Sequence, residues 1–263
     1  MLAAVPRDLF DISGKVAVVT GGSSGIGEMI ARGYIEAGVK TYIASRKADQ
    51  LQGVSDELNG IRDGAECIPL RADLSSEAGC RALADAVAER ERVLHILVNN
   101  AGATWGAPLA EHDEASWSRV LNLNLQGLFH TTKFLLPLLQ AAGTSDDPAR
   151  VINIGSIAGI RPQGLENYSY TSSKAAVHQL SSHLAAKLAP TITVNVVAPG
   201  AFESKMMKAT LDASRDALAA SSAMKRIGRP DDMVGITRFL ASPAASYITG
   251  ACIAIDGGTT YTH

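Results

Sequence analysis

Seven short runs of apolar and β-branched residues recur along the chain, at 15–20, 41–45, 66–70, 94–100, 151–155, 191–199 and 252–256. Most are apolar at odd and even positions alike, as a strand covered on both faces must be. Between the first two, Ile26, Met29, Ile30, Gly33 and Ala37 return at three- and four-residue steps, one apolar stripe of a helix over 25–38. Comparable spacing predicts helices at 76–90, 113–140, 170–188, 203–224 and 231–240. Strand–helix alternation at this pitch implies right-handed crossovers and therefore a parallel sheet. No Pro/Gly/Ser linker or internal repeat interrupts the rhythm across the 263 residues. The expected fold is α/β: one doubly wound domain over 1–263, with about seven parallel strands and helices on both faces.

Composition narrows the partners. Twenty-four Lys and Arg against 26 Asp and Glu leave a formal charge of -2, and aromatic residues make up 5%. Neither an extended phosphate-binding face nor a base-stacking platform is expected, so nucleic acid is not a predicted partner. The densest apolar run, 134–139, contains Pro137 and is too short for a membrane span. Residues 1–10 lack a basic segment followed by an apolar one, so the expected location is cytoplasmic. Cys67, Cys80 and Cys252 are odd in number and lack CxxC spacing, predicting neither a disulfide frame nor a metal site.

Chemistry concentrates first where the opening strand meets its helix. The segment Thr20-GGSSGI-Gly27 places Gly21, Gly25 and Gly27 at that junction. Glycine suits a turn that bends sharply and lets a pyrophosphate approach closer than a Cβ allows. The N–H groups of the following helix would face the phosphates. In a doubly wound sheet the reacting groups belong outside the carboxyl ends of the strands. Ser156 ends the fifth run, Tyr170 opens the next helix, and Lys174 follows one turn later on the same face. A neighbouring ammonium favours the phenolate and is expected to pull the phenol below its ordinary ~10. Tyr170 could then exchange a proton with a carbonyl or alcohol oxygen, with the Ser156 hydroxyl bonded to that oxygen.

The glycine spacing T-G-x-x-x-G-x-G, together with Asn99-NA-Gly102, Asn124, Ser156 and Tyr170-TSS-Lys174 in that order, resembles the short-chain dehydrogenase/reductase family. The likeness runs from Gly14-KVAVVT through Gly228-RPDDM to Asp256-GG. Within the family the chain is similar to bacterial 3-oxoacyl (β-ketoacyl) reductases of the rhamnolipid-associated type. The resemblance implies a Rossmann fold and an NAD(P)-dependent oxidoreductase acting on CH–OH or C=O groups. It implies Asn124, Ser156, Tyr170 and Lys174 as catalytic residues, Asn124 bracing a proton-relay water through its helix. Asn122 is the nearby competitor, but the resemblance, through the family's spacing from Trp117 and to Gly127, implies Asn124. The cofactor would lie against Gly21, Ser23, Ser24, Gly25, Ile26 and Gly27, then Ser45, Arg46, Asp73 and Leu74. It would continue along Asn100, Ala101 and Gly102 to Tyr170, Lys174, Pro199 and Gly200. Asp73 reads equally well as a helix cap alongside Ser75. Serine and tyrosine stand 14 residues apart, one or two more than in many members, which makes Tyr168 a rival. Position 172 is Ser172, however, so Tyr168 lacks a lysine one turn on and is expected to wall the substrate pocket.

Enzymes that select NAD usually carry Asp or Glu at the end of the second strand. Here that place reads Ala44-SRK-Ala48. Ser45 and Arg46 can hydrogen-bond a 2′-phosphate, so NADP(H) is the expected cofactor, with NAD(H) the alternative. Ser24 runs against this, because many NADPH-using members carry a basic residue there. The expected activity is NADPH-dependent reduction of a ketone: a 3-oxoacyl thioester, a β-keto ester or another small apolar ketone. The alternatives are an alcohol, sugar or steroid dehydrogenase working oxidatively, and a non-catalytic NADP-binding protein. A lid over 201–224 with Met206, and a pocket wall at Trp105, complete the expected substrate side. Asp146 and Asp147, near a helix end, are expected to oppose docking of an acidic acyl carrier. The resemblance also implies a homotetramer or dimer.

Overall fold

The structure, a computed structural model, describes residues 8–261. Its centre is a parallel sheet of seven strands: β1 (Val16–Thr20), β2 (Lys40–Ser45), β3 (Cys67–Arg71), β4 (Ile96–Asn99), β5 (Ala149–Ile154), β6 (Ile192–Pro199) and β7 (Cys252–Ile255). They lie in the order β3-β2-β1-β4-β5-β6-β7. The chain builds outward from β1 in one direction, then returns to its other side with β4. That reversal leaves a crevice between the carboxyl ends of β1 and β4, where this class of sheet binds ligands.

Alternating residues of each strand feed two cores. Ala17, Val19, Ile43, Val98 and Ile152 pack with α1 (Gly25–Glu36), α2 (Ala48–Asn59) and α8 (Pro230–Ala241). Val18, Tyr42, Leu97 and Val151 pack with α3 (Glu77–Ala88), α5 (Leu128–Ala142) and α6 (Tyr168–Leu188). Burial on both faces explains why these strands read as continuous apolar runs, each fully buried Val or Ile contributing about 1.5–3 kcal/mol. Across the second face, Asn99 Nδ2 donates to Thr132 Oγ1 (3.0 Å) and Asn153 Oδ1 (2.9 Å), and Asn153 Nδ2 donates to Ser181 Oγ (2.8 Å). This buried ladder keeps β4, β5, α5 and α6 in register.

Four elements differ from their sequence patterns. α2 was not anticipated, because only Leu51, Ser55 and Leu58 of its twelve residues are buried. The expected helix 113–140 is divided: α4 (Glu114–Leu121) passes through a π-helical turn, Asn122–Gly127, into α5. α6 begins at Tyr168, so Tyr170 lies within its first turn rather than opening it. The expected helix 203–224 shortens to α7 (Lys208–Ser221) and kinks at Ser214, where φ is -148°.

Candidate active site

The glycine loop is shaped as much by β4 as by its own sequence. Gly21 and Gly25 adopt left-handed backbone, φ +66° and +56°. A Cβ on Gly27 would stand 2.3 Å from the Gly21 carbonyl oxygen, so only glycine lets α1 start this close to the turn. Thr20 Oγ1 accepts from the amides of Asn100 (2.9 Å) and Ala101 (3.0 Å). In return Asn100 Nδ2 donates to the carbonyls of Thr20 (2.9 Å) and Gly21 (3.3 Å). Gln50, on α2, donates from Nε2 to Ser23 O at 2.7 Å. The loop is therefore preformed. The brace at Gln50 was not singled out from sequence, since it belongs to no local motif, and Thr20, though it opens the glycine motif, meets a partner 80 positions away.

Across the crevice, Ser156 follows β5 and starts a short 3₁₀ turn, its Oγ accepting from Ala158 N at 3.1 Å. The same hydroxyl lies beside the Tyr170 phenol and borders the same cavity. Lys174 is only 5% exposed, and its Nζ donates to Ile154 O at 2.7 Å and lies 5.7 Å from the centre of the Tyr170 ring. Burial lowers its ammonium to about 8. Burial raises the Tyr170 phenol above its ordinary value, and the neighbouring Ser156 hydroxyl only partly opposes this. This is the reverse of the shift expected from a neighbouring ammonium alone. Desolvation dominates at the phenol, and Lys174 spends a hydrogen bond on a carbonyl at the end of β5.

Asn124, 2% exposed in the π-helical turn, accepts from Ala103 N (2.7 Å) and donates to Ala103 O (2.9 Å) and Ser173 Oγ (2.9 Å). Its side chain is fully committed to fastening the turn beneath Gly102. A cavity of about 480 Å³ joins these parts, bordered by Gly21, Asn100, Ser156, Tyr170, Lys174 and Gly200. Its outer wall is formed by Thr104, Gln163, Leu165 and Asn167 on one side and by Met206, Met207 and Leu218 on the other. Met206 thus lies where expected, whereas Trp105 and Tyr168 do not line the cavity. Trp105 lies beside Arg119, whose guanidinium is 5.6 Å from the indole. Tyr168 meets the edge of His112 at 5.0 Å.

Towards the adenine end, the Ser45 hydroxyl is buried and has no hydrogen-bond partner. Asp73 Oδ1 accepts from Ser75 Oγ (2.7 Å) and Ser75 N (3.1 Å), while Ser76 caps α3 by accepting from Gly79 N. Asp73 is therefore not the cap. Hydrogen bonds from Ser75 hold its carboxyl low despite some burial, with the Arg46 charge adding to them. Leu74 is buried in the core, which leaves only its backbone to face a cofactor. The crowded glycines, the helix N-terminus behind them and the orphaned Ser45 hydroxyl suit a phosphorylated dinucleotide lying along this edge.

The acidic pair at Asp146 and Asp147 lies elsewhere. It precedes β5, at the amino-terminal edge of the sheet, whereas Ser156 and the cavity follow the carboxyl end of the same strand. Asp147 is also ion-paired there, to Lys15 Nζ (2.9 Å) and Arg150 (3.0 Å). The expectation that it opposes an acidic carrier at the site is corrected on both counts.

The chain belongs to the short-chain dehydrogenase family, whose profile matches residues 15–215. It is accordingly a nicotinamide-dependent oxidoreductase of CH–OH and C=O groups. It is 46% identical over 252 residues to a rhamnolipid-biosynthesis 3-oxoacyl-[acyl-carrier-protein] reductase of Pseudomonas aeruginosa, covering 95% of this chain and 97% of the relative. The RhlG/NADP active-site complex of Pseudomonas aeruginosa superposes with a TM-score of 0.92 at 44% identity, covering 97% and 99% of the two chains. A gluconate 5-dehydrogenase from Burkholderia cenocepacia, in complex with NADP and tartrate, superposes with a TM-score of 0.89 at 30% identity, covering 97% and 99%.

Proposed function

We propose that this protein is an NADPH-dependent carbonyl reductase in which Tyr170 is the proton donor. The observation that carries this reading is the convergence of Ser156, Tyr170 and the buried Lys174 on the same cavity as the glycine loop. A protonated phenol at this place can give its proton to a carbonyl oxygen as hydride arrives at the carbon. NADP as the bound group of a 44% identical structural neighbour supports the cofactor choice, as does the hydroxyl and cation rather than carboxylate at Ser45 and Arg46.

Hydride delivery to the carbonyl carbon is what such a cofactor supplies when bound. The rest belongs to this chain. Ser156 Oγ and Tyr170 Oη converge on the carbonyl oxygen and stabilise the charge that develops there. Tyr170 then gives its proton to that oxygen. Lys174, held by Ile154 O and 5.7 Å from the Tyr170 ring centre, borders the cavity and has N–H bonds left for the ribose of the cofactor. Asn124 holds the π-helical turn against Ala103, so the main chain of that turn can order a water through which Tyr170 regains its proton. Gly102, Pro199 and Gly200 line the nicotinamide end, and residues 201–224 act as the lid, Met206 and Met207 forming its inner surface.

The substrate class is a 3-oxoacyl thioester, β-keto ester or other apolar ketone, in keeping with Leu165, Met206 and Leu218 along the outer wall. A carrier-linked thioester remains within it now that Asp147 is placed at the far edge of the sheet. The test is NADPH oxidation with acetoacetyl-CoA, a carrier-linked β-ketoacyl substrate and a ketone panel, run beside NADP+ reduction with the matching alcohols. Faster reduction of at least one ketone supports the reading; turnover in the alcohol direction alone overturns it. The proposed setting is the cytoplasm, without nucleic-acid partners. The proposed assembly is a homotetramer or dimer through the α5 surface, where Phe129 is 40% exposed, and the open edge of β7. Light scattering that returned a monomer would remove the assembly from this account.

A further inference from the structure

The adenine end of the site holds a cation that no local motif reveals. In the β2–β3 pair Ser45 lies opposite Arg71, and Ala72 N donates to Ser45 O at 3.0 Å, so the register persists to the end of β3. Residues two apart in a strand share a face, and paired residues of neighbouring strands point the same way. Ile43 on β2 and Cys67 on β3 both pack into the α1–α2–α8 core, whereas Ala44 and Leu70 face the other one. Stepping by two from Ile43 and Cys67 puts Ser45 and Arg71 side by side on one face, their Cα atoms about 4.8 Å apart.

Ser45 offers a buried hydroxyl without a partner, and Arg71 is exposed with no ion pair or side-chain hydrogen bond among the described residues. Arg46, just beyond β2, already lends part of its charge to Asp73. A phosphate monoester carries nearly two negative charges, more than one shared guanidinium neutralises. We propose that Arg71 is a specificity-determining residue for the cofactor's 2′-phosphate, closing on it from β3 while Arg46 closes from the β2–α2 turn and Ser45 donates from between them. This rests on the NADP(H) reading above.

Calorimetric titration of NADP+ and NAD+ into wild-type enzyme, Arg71→Ala, Arg71→Lys and Arg46→Ala tests it without any ketone. Loss of a charge-assisted contact predicts NADP+ binding about tenfold or more weaker in Arg71→Ala. NAD+ affinity is expected to stay within about twofold of wild type, which also reports that the site is folded. Arg71→Lys should recover part of the loss, since it restores charge but not the fork. A wild-type NADP+/NAD+ ratio in Arg71→Ala, beside a lowered ratio in Arg46→Ala, would overturn the role of Arg71 and leave the NADP(H) reading standing. Wild-type enzyme that binds NADP+ no more tightly than NAD+ would overturn both.

Discussion

Tyr168 and Tyr170 are two residues apart on one helix, yet their surroundings differ in kind. Tyr170 touches Ser156 and faces the cavity, while Tyr168 packs its ring against His112. Tyr170→Phe is therefore expected to lower kcat by about 10²–10⁴-fold while NADPH still binds, and Tyr168→Phe to leave kcat within about threefold of wild type. Lys174 sets a pH limit. Its folded value, about 8, is below that of a free lysine, so the ammonium is present below that pH and lost as pH rises through it. The reductive kcat should fall along the same limb, and Lys174→Arg, which stays charged, should move the limb upward. An unmoved limb would assign it to another group. Ser156, Tyr170 and Lys174 were legible in sequence because a strand end and one helical turn bring them together, whereas Asn124, inside the π-helical turn, was reached only through the family resemblance. Arg71 was not legible, because its partner in space is a strand away and only the pairing register reveals it.

The π-helical turn and the two loops flanking the cavity show what elements add. Asn124 spends its amide on Ala103 and Ser173, so the turn is fixed to the segment after β4 and to α6 together. His112 plays a similar part for the outer wall: Nε2 meets Ala107 O (3.0 Å) and Glu166 O (3.3 Å), and Ala107 N also donates to Glu166 O (3.1 Å). Cutting this link with His112→Ala should raise KM for ketones about three- to tenfold, corresponding to about 1 kcal/mol of lost positioning, and increase hydrogen exchange over 161–167. NADPH affinity should not move, and His112→Gln should restore much of the KM. Unchanged exchange would show that the wall stands without His112. Helices with a strong apolar stripe, such as α1, were readable from spacing. α2 was not, since its buried face is narrow, and the break between α4 and α5 leaves no trace in hydrophobic periodicity.

In the whole molecule, chemistry and stability occupy opposite edges of the sheet. Lys15, Asp147 and Arg150 tie the entrances of β1 and β5 together, with Arg150 only 1% exposed. Burial pushes the Asp147 carboxyl up, but the hydrogen bond from Lys15 and the charges of Lys15 and Arg150 outweigh it, so the net shift is downward. A lowered carboxyl stabilises the fold above its unfolded value and loses that contribution as pH falls through its folded one. Asp147→Asn is expected to lower the unfolding free energy by about 2 kcal/mol near neutral pH and to flatten the acid limb of stability. Denaturation across pH checks this, and kcat should be unaffected. At the opposite edge, the clasp between Thr20 and Asn100 joins residues 80 positions apart. Every loop glycine lies before the exposed turn at 60–64, but Asn100 lies after it. An enzyme split in that turn would yield an amino-terminal fragment with the whole glycine motif and no formed nucleotide cradle. Nucleotide binding would return only on reunion of the halves, making this turn a natural cut for a complementation reporter that dinucleotide switches on.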